Sequence, residues 1–468
     1  MKKVQLERFL ALYIPWALAL VFQNDPELSY TIAWLGSFFI FYITLSGWVK
    51  PLPSDRTIGE QLMRPLLLVQ IIFAGYMCST SIFYFLNVLG YQDFQKVSEY
   101  YLVDSQKLQL TAECQRYYCL GHAAFVTGIL MFVRYPVKQK YYFEKPKLAN
   151  TLFVTAILTL PLSVAFLLLP GLSQFSYQFS SLSFIAGTLA LAFAIPLKKI
   201  WNTLICLLLY FFNFYQALIS GFKEPIIISI LVLGIFLYPT YKKIVTFTFV
   251  PLLLLVFVFL PTYNRIFRQN AWGEDVEVDQ ASQLALNGAL NTTSSFDDES
   301  NWDFLAFRLS EIDMFTDFVK STPDKVDFYR FQILKQSVIA MVPRIIWSSK
   351  PITEELVMAR VYDAGVINRG SNVSAKPAFI VDAYLTDGAL GVFLSLFLYG
   401  AAAQLISLKA EKLFGGYILG TALIFSGLFQ IMWRGLSFEF LINTVFWSYI
   451  SMFLIQKIFI ATRVLKKI

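Results

Sequence analysis

Two cations, an indole and two prolines lie within the nine residues Pro343–Pro351, which read PRIIWSSKP. The cations are Arg344 and Lys350, and Trp347 lies between them. Arginine offers a planar fork of donors to phosphate oxygens, whereas lysine acts as a compact point charge. The prolines would fix a turn that aims both cations the same way. This spacing therefore indicates a site for a phosphate-bearing ligand.

Further cations are expected at the same depth, close to the outer membrane–water boundary. They are Lys223, Arg265, Arg308 and Arg434. Charges near hydrocarbon are rare and usually face a cavity or a ligand. Converging cations at that depth suit a diphosphate whose lipid tail stays in the bilayer. The alternative for each one is a structural charge: Lys223 could pair with Glu224, and any of them could extend along apolar surface to reach water.

Two carboxylates follow in the stretch 370–394, GSNVSAKPAFIVDAYLTDGALGVFL. Asp382, Tyr384 and Asp387 lie where this stretch turns into an apolar helix. A carboxylate here could accept a proton from a sugar hydroxyl within hydrogen-bond reach, and Asp382 is the candidate for that catalytic role. Asp387 precedes GALG and fits a helix N-cap better.

Several classes of chemistry have no matching motif. The chain contains no P-loop, no dinucleotide-binding glycine pattern and no nucleophile elbow. One histidine, His122, and four cysteines leave little material for a metal site. We expect His122 to be structural rather than part of a site. Cys114 and Cys119 are expected to be thiols, with a disulfide in an outer loop as the alternative.

The composition is that of a polytopic membrane protein. The 468 residues are 57% hydrophobic and 15% charged, with a mean hydropathy of +0.59, against about 25% charged in soluble domains. Apolar runs near bilayer length predict an all-α fold of about twelve transmembrane helices. The predicted spans are 9–22, 30–48, 66–89, 117–133, 149–169, 178–196, 200–220, 225–239, 245–260, 388–406, 415–433 and 438–456.

Positive charge sets the predicted orientation. With both termini inside, the cytoplasmic segments carry 21 of the 38 lysines and arginines, and the short outer loops carry five. This asymmetry is the positive-inside pattern. It accounts for the net charge of +7 without invoking nucleic acid.

One long loop, 261–387, lies on the outside in this topology. The predicted domains are therefore helices 1–9 in 1–260, this loop, and helices 10–12 in 388–468. Within the loop, 269–303 is acidic and rich in Ser, Thr and Asn, which predicts a mobile segment. The stretches 304–320 and 327–343 have helical apolar spacing, which predicts two amphipathic helices on the membrane surface or on the spans.

With these features the chain resembles the Wzy-type oligosaccharide repeat-unit polymerases, within the O-antigen polymerase and ligase superfamily. The shared features are many spans with a late outer loop, the element PRIIWSSKP, and the following SNVSAKPAFIVDAYLTDGALG. SGFKEP and WRG resemble two further turns of the family. The chain departs from the related ligases because its outer loop contains no histidine.

The resemblance implies a fold similar to GT-C glycosyltransferases, an inner-membrane location and a polymerase activity. A growing glycan on undecaprenyl diphosphate would pass to a lipid-linked repeat unit, without metal or cofactor and with inversion. Arg344, Asp382 and Arg308 would be catalytic. Residues implied to bind the diphosphate or glycan are Lys223, Arg265, Lys350, Trp347, Tyr384 and Arg434. Membrane lipids, a chain-length regulator and a flippase are the implied partners.

Four alternatives remain at this stage, and one of them is a non-enzymatic partner in polysaccharide export. A ligase would use the same donor chemistry. A transporter or flippase of lipid-linked glycan would also fit twelve spans, although no internal repeat is visible. A metal-dependent glycosyltransferase would use Asp25 and Glu27 of the first outer loop, which is very short.

Overall fold

The structure is a computed structural model. It describes residues 6–56, 61–70, 77–144, 147–169, 171–219, 224–273, 277–292, 302–303, 305–307, 309–369 and 375–468. The described chain is mostly helical, with two short two-stranded sheets. The all-α expectation is therefore confirmed.

The helices follow the chain in this order: α1 Leu6–Leu10, α2 Ile14–Val21, α3 Pro26–Leu45, α4 Leu68–Gln70, α5 Ile82–Val88, α6 Ser105–Phe132, α7 Leu148–Leu168, α8 Ser176–Ala194, α9 Ile200–Ile219, α10 Glu224–Leu237, α11 Lys242–Arg268, α12 Val278–Thr292, α13 Ile312–Ser321, α14 Gln332–Met341, α15 Thr353–Asp363, α16 Phe379–Leu413, α17 Ser426–Leu428 and α18 Phe438–Ala461. A π-helical segment, Ile418–Phe425, leads into α17, and a 3-10 turn, Gln430–Trp433, follows it. The strands are β1 Tyr91–Gln92, β2 Gln95–Lys96, β3 Tyr141–Phe143 and β4 Leu465–Lys467.

Six helical segments are long and apolar enough to cross a membrane. They are Pro26–Leu45, Leu148–Leu168, Ser173–Ala194, Ile200–Ile219, Phe379–Leu413 and Phe438–Ala461. Shorter apolar helices cover 77–88, 226–237 and 418–428. The chain is therefore a membrane protein. The predicted spans 9–22 and 66–89 consist of short helical pieces within the described residues.

The helices define two ends of the molecule. At the basic end, β3 pairs antiparallel with β4, and Lys466 forms an ion pair with Glu144. At the opposite end, called the loop end here, α13, α14 and α15 pack on the bundle. The β1–β2 hairpin lies at this end too, between α5 and α6.

The predicted amphipathic helices are only partly correct. The single helix expected over 304–320 is interrupted, because Glu311 adopts a left-handed φ of 54° and α13 starts after it. The helix expected over 327–343 is α14, which starts later because Tyr329 and Arg330 donate their backbone N–H groups to Leu385 O and Thr386 O. Its buried face packs on α18.

Part of the polar segment 269–303 is helical, which its composition does not predict. It contains the helix α12, whose alanines 281, 285 and 289 recur every four residues and are buried. They pack against Tyr263 and Phe267 of α11. Small side chains on one face allow this close helix pairing, a signal that the overall polarity of the segment hides.

α16 reverses direction near its start. Asp387 and Gly388 have non-helical backbone angles, with φ of 58° at Gly388. A Cβ on Gly391 would collide with Ala383 O, so residues 379–386 fold back beside the residues that follow the turn. Ile380, Val392 and Leu396 accordingly share the space beside Gly121. We call 379–386 the first limb of α16 and 389–413 its second limb.

Candidate functional site

Lys350 holds the turn after α14. Its side chain is buried, and Nζ donates to Ala340 O at 3.0 Å and to Val342 O at 2.8 Å. These carbonyls belong to the last turn of α14, where backbone acceptors lack helical partners. Burial and the charge of Arg344 lower the pKa of Lys350. The described hydrogen bonds of the Lys350 side chain therefore stabilise the turn after α14.

Arg344 is half-buried and only weakly bound. Its Nη1 lies 3.4 Å from Ser348 O, and its Nη2 lies 3.3 Å from Pro351 O. Among the described residues, neither Arg344 nor Lys350 has a carboxylate in ion-pair distance. Two neighbouring cations without a counter-charge make this turn suitable for an anion.

The depth of this turn follows from its neighbours on α18 and α7. Trp447 Nε1 donates to Met341 O at 2.8 Å. Trp447 lies nine residues into α18 from Phe438, about 13 Å along the helix. On the other side, a Cβ on Gly171 would lie 2.9 Å from Ile345 N, and Gly171 follows the loop end of α7. The turn therefore lies beside candidate spans.

Arg434 flanks the same region. Its Nη1 donates to Tyr177 Oη at 3.2 Å in the first turn of α8. Phe175, just before this helix, contacts the ring of Trp447 with centroids 4.9 Å apart. The segment 171–177 thus contacts the Arg344 turn at one end and Arg434 at the other.

A fully buried ion cluster lies nearby, formed by Arg360, Asp382 and Glu439. Arg360 of α15 donates to Glu439 Oε1 at 2.6 Å and Oε2 at 3.0 Å. Its Nη2 lies 3.0 Å from Asp382 Oδ1, and Phe438 N donates to Asp382 Oδ2 at 2.8 Å. Burial disfavours the charged form of Arg360, but the two carboxylates outweigh it and raise the pKa of Arg360. The cluster joins α15, the first limb of α16 and α18.

Asp382 is enclosed by this cluster. Both of its oxygens lie against Arg360, and its side chain has no exposed surface. Sequence reasoning expected Asp382 where the span begins. It lies instead on the first limb of α16, before the reversal at Asp387 and Gly388. A glycan hydroxyl would reach it only if Arg360 moved away.

Asp387 and Tyr384 have different surroundings. Asp387 lies at the reversal and forms an ion pair with Arg330, and both side chains are accessible to solvent. Tyr384 is buried, donates its hydroxyl to Thr322 O at 2.7 Å, and packs against Tyr117, Phe315 and Phe328. Tyr384 therefore anchors α13 to α16.

A second arginine cluster lies at the basic end. Arg64 donates to both oxygens of Asp55, at 2.8 and 2.7 Å, and to Glu411 Oε1 at 3.1 Å. Its guanidinium carbon lies 3.6 Å from the centroid of the Tyr135 ring. This cluster fixes the basic end of α16, far from the Arg344 turn.

The family model described as a domain of unknown function (DUF8712) matches residues 14–467. The chain belongs to this family. No curated protein and no solved structure matches it.

The predicted site residues separate into three groups in this family member. Arg344 and Arg434 lie at the two ends of the segment 171–177. Trp347 and Lys350 belong to the same turn as Arg344, with Trp347 exposed and its Nε1 3.0 Å from Ser349 Oγ. Asp382 and Tyr384 are buried in neighbouring clusters. Lys223 and Arg308 lie outside the described residues, as does the side chain of Arg265, whose backbone belongs to α11.

Sequence reasoning missed Arg360 and Glu439. Glu439 stands at the start of an apolar span, and an acidic residue there is a signal of a buried partner. Arg360 gave no such signal, because TEELVMARVYD reads as an ordinary amphipathic helix.

His122 and the cysteines have structural surroundings. His122 is buried in α6, with Nε2 3.2 Å from Gln70 Oε1. Cys78, Cys114, Cys119 and Cys206 are buried free thiols, so the disulfide alternative is wrong. Within the described residues, no group of three or more His, Cys, Asp or Glu side chains is arranged to hold a metal ion.

Proposed function

We propose that this protein is a membrane glycosyltransferase that polymerises oligosaccharide repeat units of a bacterial surface polysaccharide. The donor would be a growing glycan on undecaprenyl diphosphate, and the acceptor would be a lipid-linked repeat unit. The proposal rests on the motif resemblance and on the surroundings of Arg344. A chain-length regulator and a flippase would be its functional partners.

The observation that carries the proposal is the combination of charge and depth at Arg344. Within the described part of the chain, the Arg344 guanidinium has only long contacts to carbonyl oxygens, and Ile345 and Ile346 beside it are 66% and 75% exposed. The turn also lies beside the loop end of α7. A cation beside exposed apolar side chains at that level suits an anion that is itself attached to a lipid.

The proposed topology has twelve spans in a GT-C-like arrangement, with both termini in the cytoplasm and 261–387 outside the inner membrane. The grouping of Lys147, Lys199, Lys242 and Lys412 beside helix ends at one side supports this orientation. The Arg344 turn would then face the extracytoplasmic leaflet.

In the proposed reaction, an acceptor hydroxyl oxygen forms a bond to the anomeric carbon of the donor sugar as the bond from that carbon to the diphosphate breaks, and the hydroxyl proton passes to the departing diphosphate. Negative charge grows on the leaving diphosphate. Arg344 would stabilise that charge, with Arg434 and Lys350 in support, in the manner of preorganised donors at an oxyanion. No metal would be needed, because fixed cations take this role.

The experiment compares lipid-linked glycans in cells that carry the wild type, a deletion, Arg344→Ala or Lys335→Ala. Lys335 is an exposed cation on the preceding helix α14 and serves as the matched control. We expect Arg344→Ala to lower the polymerisation rate by roughly 10²–10³. Single repeat units should then accumulate on the lipid in the deletion and in Arg344→Ala only, at equal protein levels in the membrane.

Other results would support other functions. Long chains that remain on the lipid in the deletion strain would indicate a ligase or an exporter acting after polymerisation. Repeat units trapped on the cytoplasmic side would indicate a flippase. An unchanged glycan pattern in the Arg344→Ala strain would remove this arginine from the site.

A further inference from the structure

One apolar surface in the predicted outer loop is left uncovered by the described residues. On α14, Ile333, Ser337 and Ala340 pack inward, whereas Leu334 and Val338 are exposed. The exposed side continues into Ile345, Ile346 and Trp347. We call the five exposed apolar residues the α14 ramp. Lys335, exposed beside Leu334 on the same helix, has a side chain long enough to extend its charge toward water.

The ramp lies at the level of the spans and not above them. The lower part of the ramp, meaning the part farther from the loop end, is fixed to α18 by the hydrogen bond from Trp447 Nε1 to Met341 O. This bond lies about 13 Å from the loop end of α18. Higher up, Gln336 Oε1 accepts from Arg360 Nη1 at 3.1 Å, and Arg360 binds Glu439 at the start of α18. The helix α14 therefore runs down alongside α18.

The surface next to the ramp is the outer surface of a candidate span. Leu167, Leu168 and Leu169, at the loop end of α7, are 62%, 76% and 49% exposed. Gly171 then brings the chain against Ile345. The exposed isoleucines thus continue an apolar surface that belongs to a membrane-crossing helix.

We propose that the α14 ramp is immersed in the outer part of the bilayer and contacts phospholipid acyl chains. Exposed leucine, valine and isoleucine side chains at this depth are stabilised by lipid and destabilised by water. This inference concerns lipid contact alone and stands whether or not the protein is a polymerase.

The test places an environment-sensitive fluorophore on Ile346→Cys and, separately, on Val338→Cys. The four native cysteines are buried, so a folded sample should label at the new thiol. The labelled protein is reconstituted in vesicles of phosphatidylcholine that contain no polyprenyl lipid. Quenching is measured with nitroxide-labelled phosphatidylcholine and, in parallel, with iodide in the water.

The matched control is Leu102→Cys. Leu102 is 92% exposed and apolar, and it also lies at the loop end. It precedes Gln109, whose Nε2 donates to Gln23 O in the turn between α2 and α3. Its segment therefore extends past the ends of those helices, where we expect the label to meet water.

We expect blue-shifted emission and stronger quenching by the lipid nitroxide than by iodide at Ile346→Cys and Val338→Cys. Leu102→Cys should show the reverse order. If both ramp labels are instead quenched like the Leu102 label, the ramp faces water and the proposal is wrong. Lipid quenching only after polyprenyl lipid is added would overturn it too, because the surface would then bind a substrate tail and not the bilayer.

Discussion

The two buried arginine clusters hold opposite ends of α16 and differ in how they are shielded. Arg64 binds Asp55 and Glu411 at the basic end, where the side chain of Asp55 retains 17% exposure and that of Glu411 retains 4%. Arg360 binds Asp382 and Glu439 near the loop end, where both carboxylates have no exposed surface. Arg64 also lies against the Tyr135 ring, whereas Arg360 also donates a hydrogen bond to Gln336 Oε1.

This difference indicates which cluster should destabilise the protein more when its arginine is removed. Water can solvate Asp55 if Arg64 is lost, but it cannot reach Asp382 or Glu439 without opening the protein. A buried charge left without its partner is far more costly than the intact pair is favourable. The Arg360 cluster should therefore control whether α15, the first limb of α16 and α18 stay together.

The largest effect should come from Arg360→Met. Removing this guanidinium leaves two carboxylates facing each other in a closed space, which should cost about 3–5 kcal/mol of the free energy of unfolding. Thermal unfolding in detergent, followed with a thiol-reactive dye that reports on the buried cysteines, measures the loss. Adding Asp382→Asn and Glu439→Gln should restore part of the stability, and failure to restore any would point to packing instead of charge.

A smaller loss is expected for Arg64→Met. Glu411 would lose its cation but keep the hydrogen bond from Thr421 Oγ1 at 2.8 Å, and Asp55 would turn to water. The cost should be roughly 1–3 kcal/mol. The same dye assay applies, with the half-exposed Arg56→Met at the same end as the control. A loss equal to that of Arg360→Met would contradict the distinction between the two clusters.

The smallest effect should come from Asp55→Asn, at roughly 0.2–1 kcal/mol, as for other solvent-accessible pairs. The hydrogen bonds from Arg64 lower the pKa of Asp55. Its stabilising contribution is thus present at neutral pH and lost only as the pH falls below the ordinary carboxyl value of about 3.9. Tryptophan fluorescence during heating should show the wild type and Asp55→Asn converging in that acidic range. Convergence already at pH 6 would refute this account.

The sequence was informative wherever a signal is local. The apolar runs of α3, α7, α8, α9 and α18 and the lysines at their basic ends were visible directly, because span length and charge bias are properties of single segments. The pairing of Arg344 with Lys350 was likewise visible as a short motif, although the bonds from Lys350 to the end of α14 were not.

Tertiary contacts account for what was missed. Arg360 lies 79 residues from Glu439 in the chain, so no spacing rule connects them. The dipeptide Asp387–Gly388 is a turn signal, and sequence reasoning treated it as the start of a span. Its true effect, a reversal between the two limbs of α16, depends on the missing Cβ of Gly391. The break before α13 depends on the left-handed backbone of Glu311, and a glutamate gives no signal of that conformation.

The reversal in α16 also sets an order of assembly during synthesis. The first limb extends for only about 12 Å, too short to be inserted as a separate span across about 30 Å of hydrocarbon. Its Asp382 is made 22 residues after Arg360, and Glu439 is made 79 residues after Arg360. Arg360 and Asp382 can therefore neutralise each other while the ribosome is still translating, and the arrival of α18 then closes the site over both.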